Sequence, residues 1–279
     1  MSATTRLEEL AGRDPTVAPL ARLLAIAFRA AADRAWEEAV PPLDVARLRD
    51  GLPLLHGATV LVEEEWQSRL LKALDGAVLP LPLPLPLLEA TVTQASDRIA
   101  EMADEAGVEA DRLATLGHAA ALPLLQAVGR RAAPLLDDGA WESGCCPVCA
   151  AWPTLAELRG LERERWLRCG RCGAGWHFRP PCCPYCGEDD HRQLGYLAPR
   201  GDRDSRRAEH CDSCHGYLKS LTVLGPIRPD ELAAEDLTTL ELDLAALERG
   251  YGRPDAPGFP LELHVTARPP VKRWLAWRR

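Results

Sequence analysis

Between residues 145 and 219 the chain reads CCPVCA at 145–150, CGRCGAGWHF at 169–178, CCPYCGE at 182–188 and AEHCDSCHGYLK at 208–219. Each segment holds a Cys-x-x-Cys pair: Cys146/Cys149, Cys169/Cys172, Cys183/Cys186 and Cys211/Cys214. Two cysteines three apart fit on one tight turn with both sulfurs facing one ion, and two such knuckles complete a tetrahedron of thiolates. Pro147 and Pro184 fix φ inside the first and third turns. Gly173 and Gly187 permit the positive φ that brings backbone N–H groups to sulfur. A single pair is common, but four within 69 residues specify metal binding. All eight cysteines are candidate ligands for two tetrathiolate-bound ions, and sulfur donors suit zinc or iron.

The gaps between the pairs are 19, 10 and 24 residues. These favour sequential pairing, first knuckle with second and third with fourth, as two rubredoxin-like or zinc-ribbon-like modules in tandem. Interleaved pairing, first with third and second with fourth, would instead make one cross-braced unit. Cys145 and Cys182 each precede a pair directly and are read as packed free thiols. Modules this small bury little apolar surface, so metal coordination is expected to supply their folding energy.

Outward from the cysteines the chain looks helical. Asp14 followed by Pro15 signals a helix start, and Leu20, Leu23, Leu24, Ala27 and Phe28 recur at helical spacing. A second helix is predicted over Ala58–Leu74. The Leu-Pro alternation from Leu79 to Pro86 is read as an extended connector, because each proline fixes φ and biases its predecessor toward extended geometry. Helical patterns resume over Leu87–Ala106 and Glu109–Leu136, and His56 and His118 are expected to pack in apolar helical surroundings. A last helix is predicted from Asp230 to Arg249, with leucines at 237, 240, 244 and 247 and Gly250 as its stop. The fold class is therefore α with a small β part. A helical bundle over 1–143 precedes modules over 144–180 and 181–226, then a C-terminal helix and basic tail over 227–279.

Charge narrows the function classes. The chain of 279 residues carries a net charge of −8, which argues against a general nucleic-acid binder. Residues 144–227, with 10 acidic and 12 basic side chains, are less acidic than residues 1–143, with 22 and 13. The start MSATTRLEELAGRD lacks the basic-then-apolar pattern of a secretory signal. The apolar run Val78–Leu88 is broken by four prolines and is too short to span a bilayer. These features predict a cytoplasmic protein without stable membrane insertion, in a compartment where thiols stay reduced. No Ser/His/Asp set, P-loop or HExxH motif stands out, and a closed tetrathiolate leaves no position for substrate, so no catalytic residue is expected. His210 and His215 flank the fourth knuckle but stand beside a site that is already full.

The combined string is more specific than its pairs. CPVC with Pro153, CGRC with Trp176-His177, CPYCG, Glu209 with CDSCHGYLK, Asp236-Leu237 with Leu240 and Asp243, and Glu248 with Tyr251 resemble, in order and spacing, the formate dehydrogenase accessory protein family, FdhE. Ala150 departs from the pattern by standing where a knuckle glycine is expected. The resemblance implies a non-enzymatic maturation factor that binds, in the cytoplasm, the catalytic subunit of a molybdenum- or tungsten-dependent formate dehydrogenase. It implies a helical domain followed by two rubredoxin-like modules, with iron favoured over zinc. Trp176, His177, Tyr217 and Lys219 become candidate partner contacts. An iron-dependent electron-transfer protein and a zinc-ribbon nucleic-acid binder are the alternatives.

Overall fold

The computed structural model describes residues 4–63, 74, 85–136, 141–199, 201 and 205–268. Thr5–Arg13 (α1) and Ala18–Ala31 (α2) open the chain and pack on each other. The second begins later than the Asp14-Pro15 signal suggests. Asp14 accepts the Thr16 N–H in a local turn (2.9 Å), and Pro19 occupies the first helical turn instead. Leu23, Leu24, Ala27 and Phe28 are buried as their spacing predicts, whereas Leu20 faces outward. A short helix, Ala46–Arg49 (α3), follows.

Ala58–Val62 (β1) is a strand where a helix was predicted. The run ATVLV turns Val60 and Val62 inward and Thr59 and Leu61 outward, a period-two pattern that β-branched side chains favour. A partner distant in sequence decides the matter. Leu263–Ala267 (β8) pairs with β1 in parallel, Ala58 opposite Leu263. Residues 64–73 of the predicted helix lie outside the described residues, as does the Leu-Pro alternation over 79–84. Leu85 and Pro86 open the helix Leu85–Thr93 (α4). The predicted run Leu87–Ala106 breaks at Gln94, where φ is +60°, and resumes as Ser96–Ala106 (α5), which Gly107 ends at φ +66°. His56 lies in a turn rather than a helix, edge-on to Phe259 at 5.2 Å.

Ala110–Ala132 (α6) is buried along most of its length from Ala119 to Gly129 and touches both α2 and α4. Two glycines set those approaches. A Cβ on Gly117 would lie 2.5 Å from Thr91 Oγ1 of α4, and one on Gly129 would lie 1.8 Å from the Cys172 carbonyl oxygen. The helical half and the second knuckle therefore touch backbone to backbone.

The knuckles punctuate one continuous sheet. Leu155–Arg159 (β2), Glu164–Arg168 (β3) and Gly175–His177 (β4) form one antiparallel set, and Leu194–Leu197 (β5), Arg206–Cys211 (β6) and Tyr217–Val223 (β7) form another. Parallel pairing of β2 with β7, Leu155 opposite Lys219, joins them in the order β4-β3-β2-β7-β6-β5. One core cluster runs from Leu7 and Ala21 through α6 to Cys146, Cys149, Cys169, Cys172 and Leu218.

The predicted helix Asp230–Arg249 is two helices, Pro229–Thr238 (α7) and Leu240–Leu247 (α8), broken at Thr239 with φ −118° and ψ 30°. The break resets the register. Leu237 is buried, but Leu240, Leu244 and Leu247 are exposed, and Leu242 and Ala246 face inward instead. Gly250 ends the segment at φ +82°. Of the predicted basic tail, Arg268 pairs with Glu63 at 3.1 Å, and residues 269–279 lie outside the described residues. Among the described residues no helix is long and apolar enough to cross a membrane.

Candidate functional site

Four knuckles of one design deliver the cysteines. In each, the residue after the second cysteine has positive φ: Ala150 at +62°, Gly173 at +77°, Gly187 at +79° and His215 at +56°. The first cysteine of each knuckle donates its N–H to the carbonyl of the residue five places on: Cys146 to Ala151, Cys169 to Ala174, Cys183 to Glu188 and Cys211 to Gly216, at 2.8–2.9 Å. In three of them its carbonyl accepts the N–H of the positive-φ residue, at 2.9–3.0 Å. Glycine is cheapest at this position, yet the first knuckle closes on alanine in the same geometry.

The knuckles pair in sequence order. Cys146, Cys149, Cys169 and Cys172 form one cluster, and Cys183, Cys186, Cys211 and Cys214 the other, with all four sulfurs of each within 4.8 Å of one another. Sulfur–sulfur distances of 3.5 Å (Cys146–Cys172, Cys149–Cys169), 3.6 Å (Cys183–Cys214) and 3.7 Å (Cys186–Cys211) are far longer than a disulfide. They match a tetrahedron built on metal–sulfur bonds of ~2.3 Å, whose edges would be ~3.8 Å. Donor type, number and spacing thus fit a four-coordinate ion in both places.

The two environments differ. Every cysteine of the first cluster is buried, while Cys186 and Cys214 of the second face solvent. Burial pushes the Cys146 and Cys172 thiols well up, whereas hydrogen bonds from Cys146, Cys149 and Cys172 hold Cys169 well below the usual thiol range. In the second cluster burial raises Cys214 to about 11. Cys186 is lowered even though burial opposes it, because the Glu188 N–H and the neighbouring thiols favour its anion. A bound cation would replace these shared protons, so binding must release them. Cys145 packs against Ser143 Oγ at 3.3 Å, and Cys182 Sγ points at the Gly187 carbonyl at 3.6 Å; neither joins a cluster.

Three of the four predicted partner contacts are internal, which corrects that expectation. Trp176 is 2% exposed and donates its indole N–H to the Ser143 carbonyl (3.2 Å). Lys219 is fully buried on β7, with Nζ 2.8 Å from Asp236 Oδ1 and 2.6 Å from Asp243 Oδ2. Tyr217 is 4% exposed, and its hydroxyl donates to Asp243 Oδ1 at 2.7 Å. Arg253 completes the group, 2.9 Å from Asp236 and 3.2 Å from Asp243. The YLK string and the two aspartates thus form one ion network that fastens α7 and α8 to the sheet. His177 alone of the four is exposed, edge-on to Trp166 at 5.9 Å. His210 stacks on Tyr251 at 4.3 Å, with His215 nearby, so both stand beside the second cluster.

Residues without a sequence signal also hold the first cluster. Arg171, inside the second knuckle, donates to the Thr91 and Val92 carbonyls near the end of α4, and Gln126 of α6 donates to the Arg171 carbonyl (2.9 Å). Glu157, fully buried, pairs with Arg168 and with Arg159 at 2.6 Å.

A model described as the FdhE C-terminal domain matches residues 182–258. The Protein FdhE homolog of Stutzerimonas stutzeri (strain A1501) is 37% identical over 120 residues, covering 42% of this chain and 38% of that protein. The homolog from Pseudomonas aeruginosa is 36% identical over 116 residues, covering 39% and 37%. The crystal structure of the FdhE protein from Pseudomonas aeruginosa aligns over 91% of this chain and 92% of that one, with a TM-score of 0.57 and 27% identity. The chain is thus similar to FdhE proteins, in sequence over part of its length and in fold over most of it. Its sequence match spans less than half the length of these curated FdhE relatives, whereas the structural match also takes in the helical half.

Proposed function

We propose that this chain is a member of the FdhE family and a non-enzymatic accessory factor for a molybdenum- or tungsten-dependent formate dehydrogenase, and that it binds the catalytic subunit of that enzyme in the cytoplasm. The observation that carries the reading is the closure of both sites. Each offers four thiolates, a full tetrahedral set, with no position left for a substrate or an attacking water. Cys146, Cys149, Cys169 and Cys172 would hold one ion, and Cys183, Cys186, Cys211 and Cys214 the other. When bound, iron would supply one-electron redox chemistry and zinc would supply structure alone. The protein's own part is to fix the sulfurs and to present a rigid surface around them.

The solvent-facing Cys186 and Cys214 favour a second reading for the second site alone, an iron centre that exchanges electrons with a partner. The deeply buried first site carries no such argument. The test is formate dehydrogenase activity in cells that lack their own factor, with capture of the catalytic subunit followed in parallel. The chain is expected to restore activity and to retain the subunit. Normal formate oxidation without it, together with no capture, overturns the assignment. Elemental analysis of anaerobically purified protein should give two ions per chain, and a colourless protein holding only zinc removes the redox reading.

A further inference from the structure

The six-stranded sheet has two faces. Ala208 and Tyr217 pack against Leu242 and Ala246 of α8, so Arg207, Glu209 and Leu218, one residue out of phase, point the other way. On that opposite side, next to the third and fourth knuckles, a cavity of about 350 Å³ opens. Leu158, Leu194, Leu218 and Pro181 line it with carbon, and Arg165, Arg207, Glu209 and the exposed Arg163 bring charge.

We propose that this cavity binds a carboxylate carried on an apolar body. The built feature is Arg165, which is 5% exposed. Its guanidinium donates to the Cys182 carbonyl and to Glu209 Oε2, each at 2.8 Å; its Nε–H has no partner among the described residues but is sealed from solvent, so Arg165 acts on an occupant through its charge. A carboxylate is the partner a guanidinium prefers. Glu209 does not cancel the site. Its other oxygen takes the Arg207 guanidinium at 3.0 Å, so one carboxylate is shared between two cations and one positive charge is left over among the three side chains. The carbon lining excludes a bare hydrated anion as the best occupant and calls for an aliphatic or aromatic body. The volume lies near the lower end of the ~300–1,000 Å³ common for ligand sites. Cys183 and Cys211 form part of the wall, so an occupant lies against the second cluster without adding a ligand to it. The inference does not depend on the identity of the client.

Such an acid has two sources, a free small molecule or an acidic residue beside apolar ones in a polypeptide. Calorimetric titration of the metal-loaded full chain separates them. The probes are 4-phenylbutyrate, its uncharged amide, the peptide acetyl-Leu-Asp-Phe-amide and its Asn counterpart. The acids should bind, and their neutral partners should bind at least about tenfold more weakly, the loss that goes with a charge-assisted hydrogen bond. A peptide tighter than phenylbutyrate assigns the site to a polypeptide, and the reverse order assigns it to a small acid. Arg207→Gln, which strips charge, should weaken either acid, and Leu194→Trp, which fills the carbon end, should abolish binding. The proposal is overturned by no binding of either acid, by equal affinity for acid and neutral partner, or by affinity that neither substitution changes.

Discussion

At the scale of single residues, the four knuckles form a controlled series for left-handed backbone. Gly187 has open space where a Cβ would stand, whereas a Cβ on Gly173 would lie 2.7 Å from Pro229 Cγ and 3.0 Å from Gln126 Oε1. Gly187→Ala should therefore cost only the backbone term, about 1 kcal/mol, and Gly173→Ala distinctly more. Ala150→Gly relieves a similar backbone cost but removes a buried methyl worth ~0.8 kcal/mol, so it should be close to neutral. Denaturant midpoints at equal metal occupancy measure all three, and equal losses at Gly173 and Gly187 would contradict the packing argument. Lys219 makes a sharper case. Its ammonium is fully buried between Asp236 and Asp243, so Lys219→Ala should destabilise by about 3 kcal/mol or more, as removing one member of a buried ion network does. The double substitution with Asp243→Asn should cost less than the sum of the two single ones. If Lys219 were instead a surface contact, Lys219→Ala would leave the midpoint unchanged and weaken only partner capture.

At the scale of elements, α6 carries the clearest pH dependence. Burial, with the Arg171 guanidinium adding to it, lowers His118 from 6.5 to about 4. The unfolded chain therefore takes up a proton that the folded one refuses. The contribution of a neutral His118 is whole above pH 6.5 and is lost as the pH falls toward 4. Between pH 7 and pH 5 the wild type should lose about 2 kcal/mol more than His118→Gln, read from urea midpoints at the two pH values. Parallel curves would show that the histidine titrates freely. The same element shows what the sequence could reveal and what it could not. Its helical period and length are written in the apolar positions from Leu113 to Val128, and the structure agrees. Gly129, by contrast, reads as a mild helix weakener, and only the path of Cys172 gives it a purpose. Strand β1 is hidden from the sequence for the same reason: Ala58–Val62 is ambiguous by itself and is settled by β8, some two hundred residues away. Gly129→Ala should move α6 off the second knuckle and lower the melting temperature well beyond the usual effect of alanine for glycine in a helix. A gain in stability would overturn that reading.

At the scale of the whole molecule, the cysteine pairs were fully legible, because ligand chemistry fixes their spacing locally. Their linkage into one sheet was not, since the parallel β2–β7 pair leaves no mark in either strand's sequence. That linkage, together with the shared core, changes what metal removal should do. Modules read in isolation would unfold on their own while the helices survive. In the structure the first cluster lies inside the same apolar core as α2 and α6, and all its cysteines are buried. The second cluster sits at the sheet's other half with Cys186 and Cys214 open to solvent. A chelator should therefore take the second ion first, in a phase that leaves the helical signal nearly intact. Loss of the first ion should be slower and should coincide with loss of helix, because four buried thiols left without a cation strip the core of its anchor. Cys186→Ser should yield a folded protein with one ion, and Cys146→Ser a protein that melts as a whole at much lower temperature. Metal release followed by a chromophoric chelator, with circular dichroism recorded on the same sample, decides between the two pictures. Simultaneous release of both ions with the helices untouched would mean that the clusters are peripheral modules after all, and that the shared core does not couple them to the helical half.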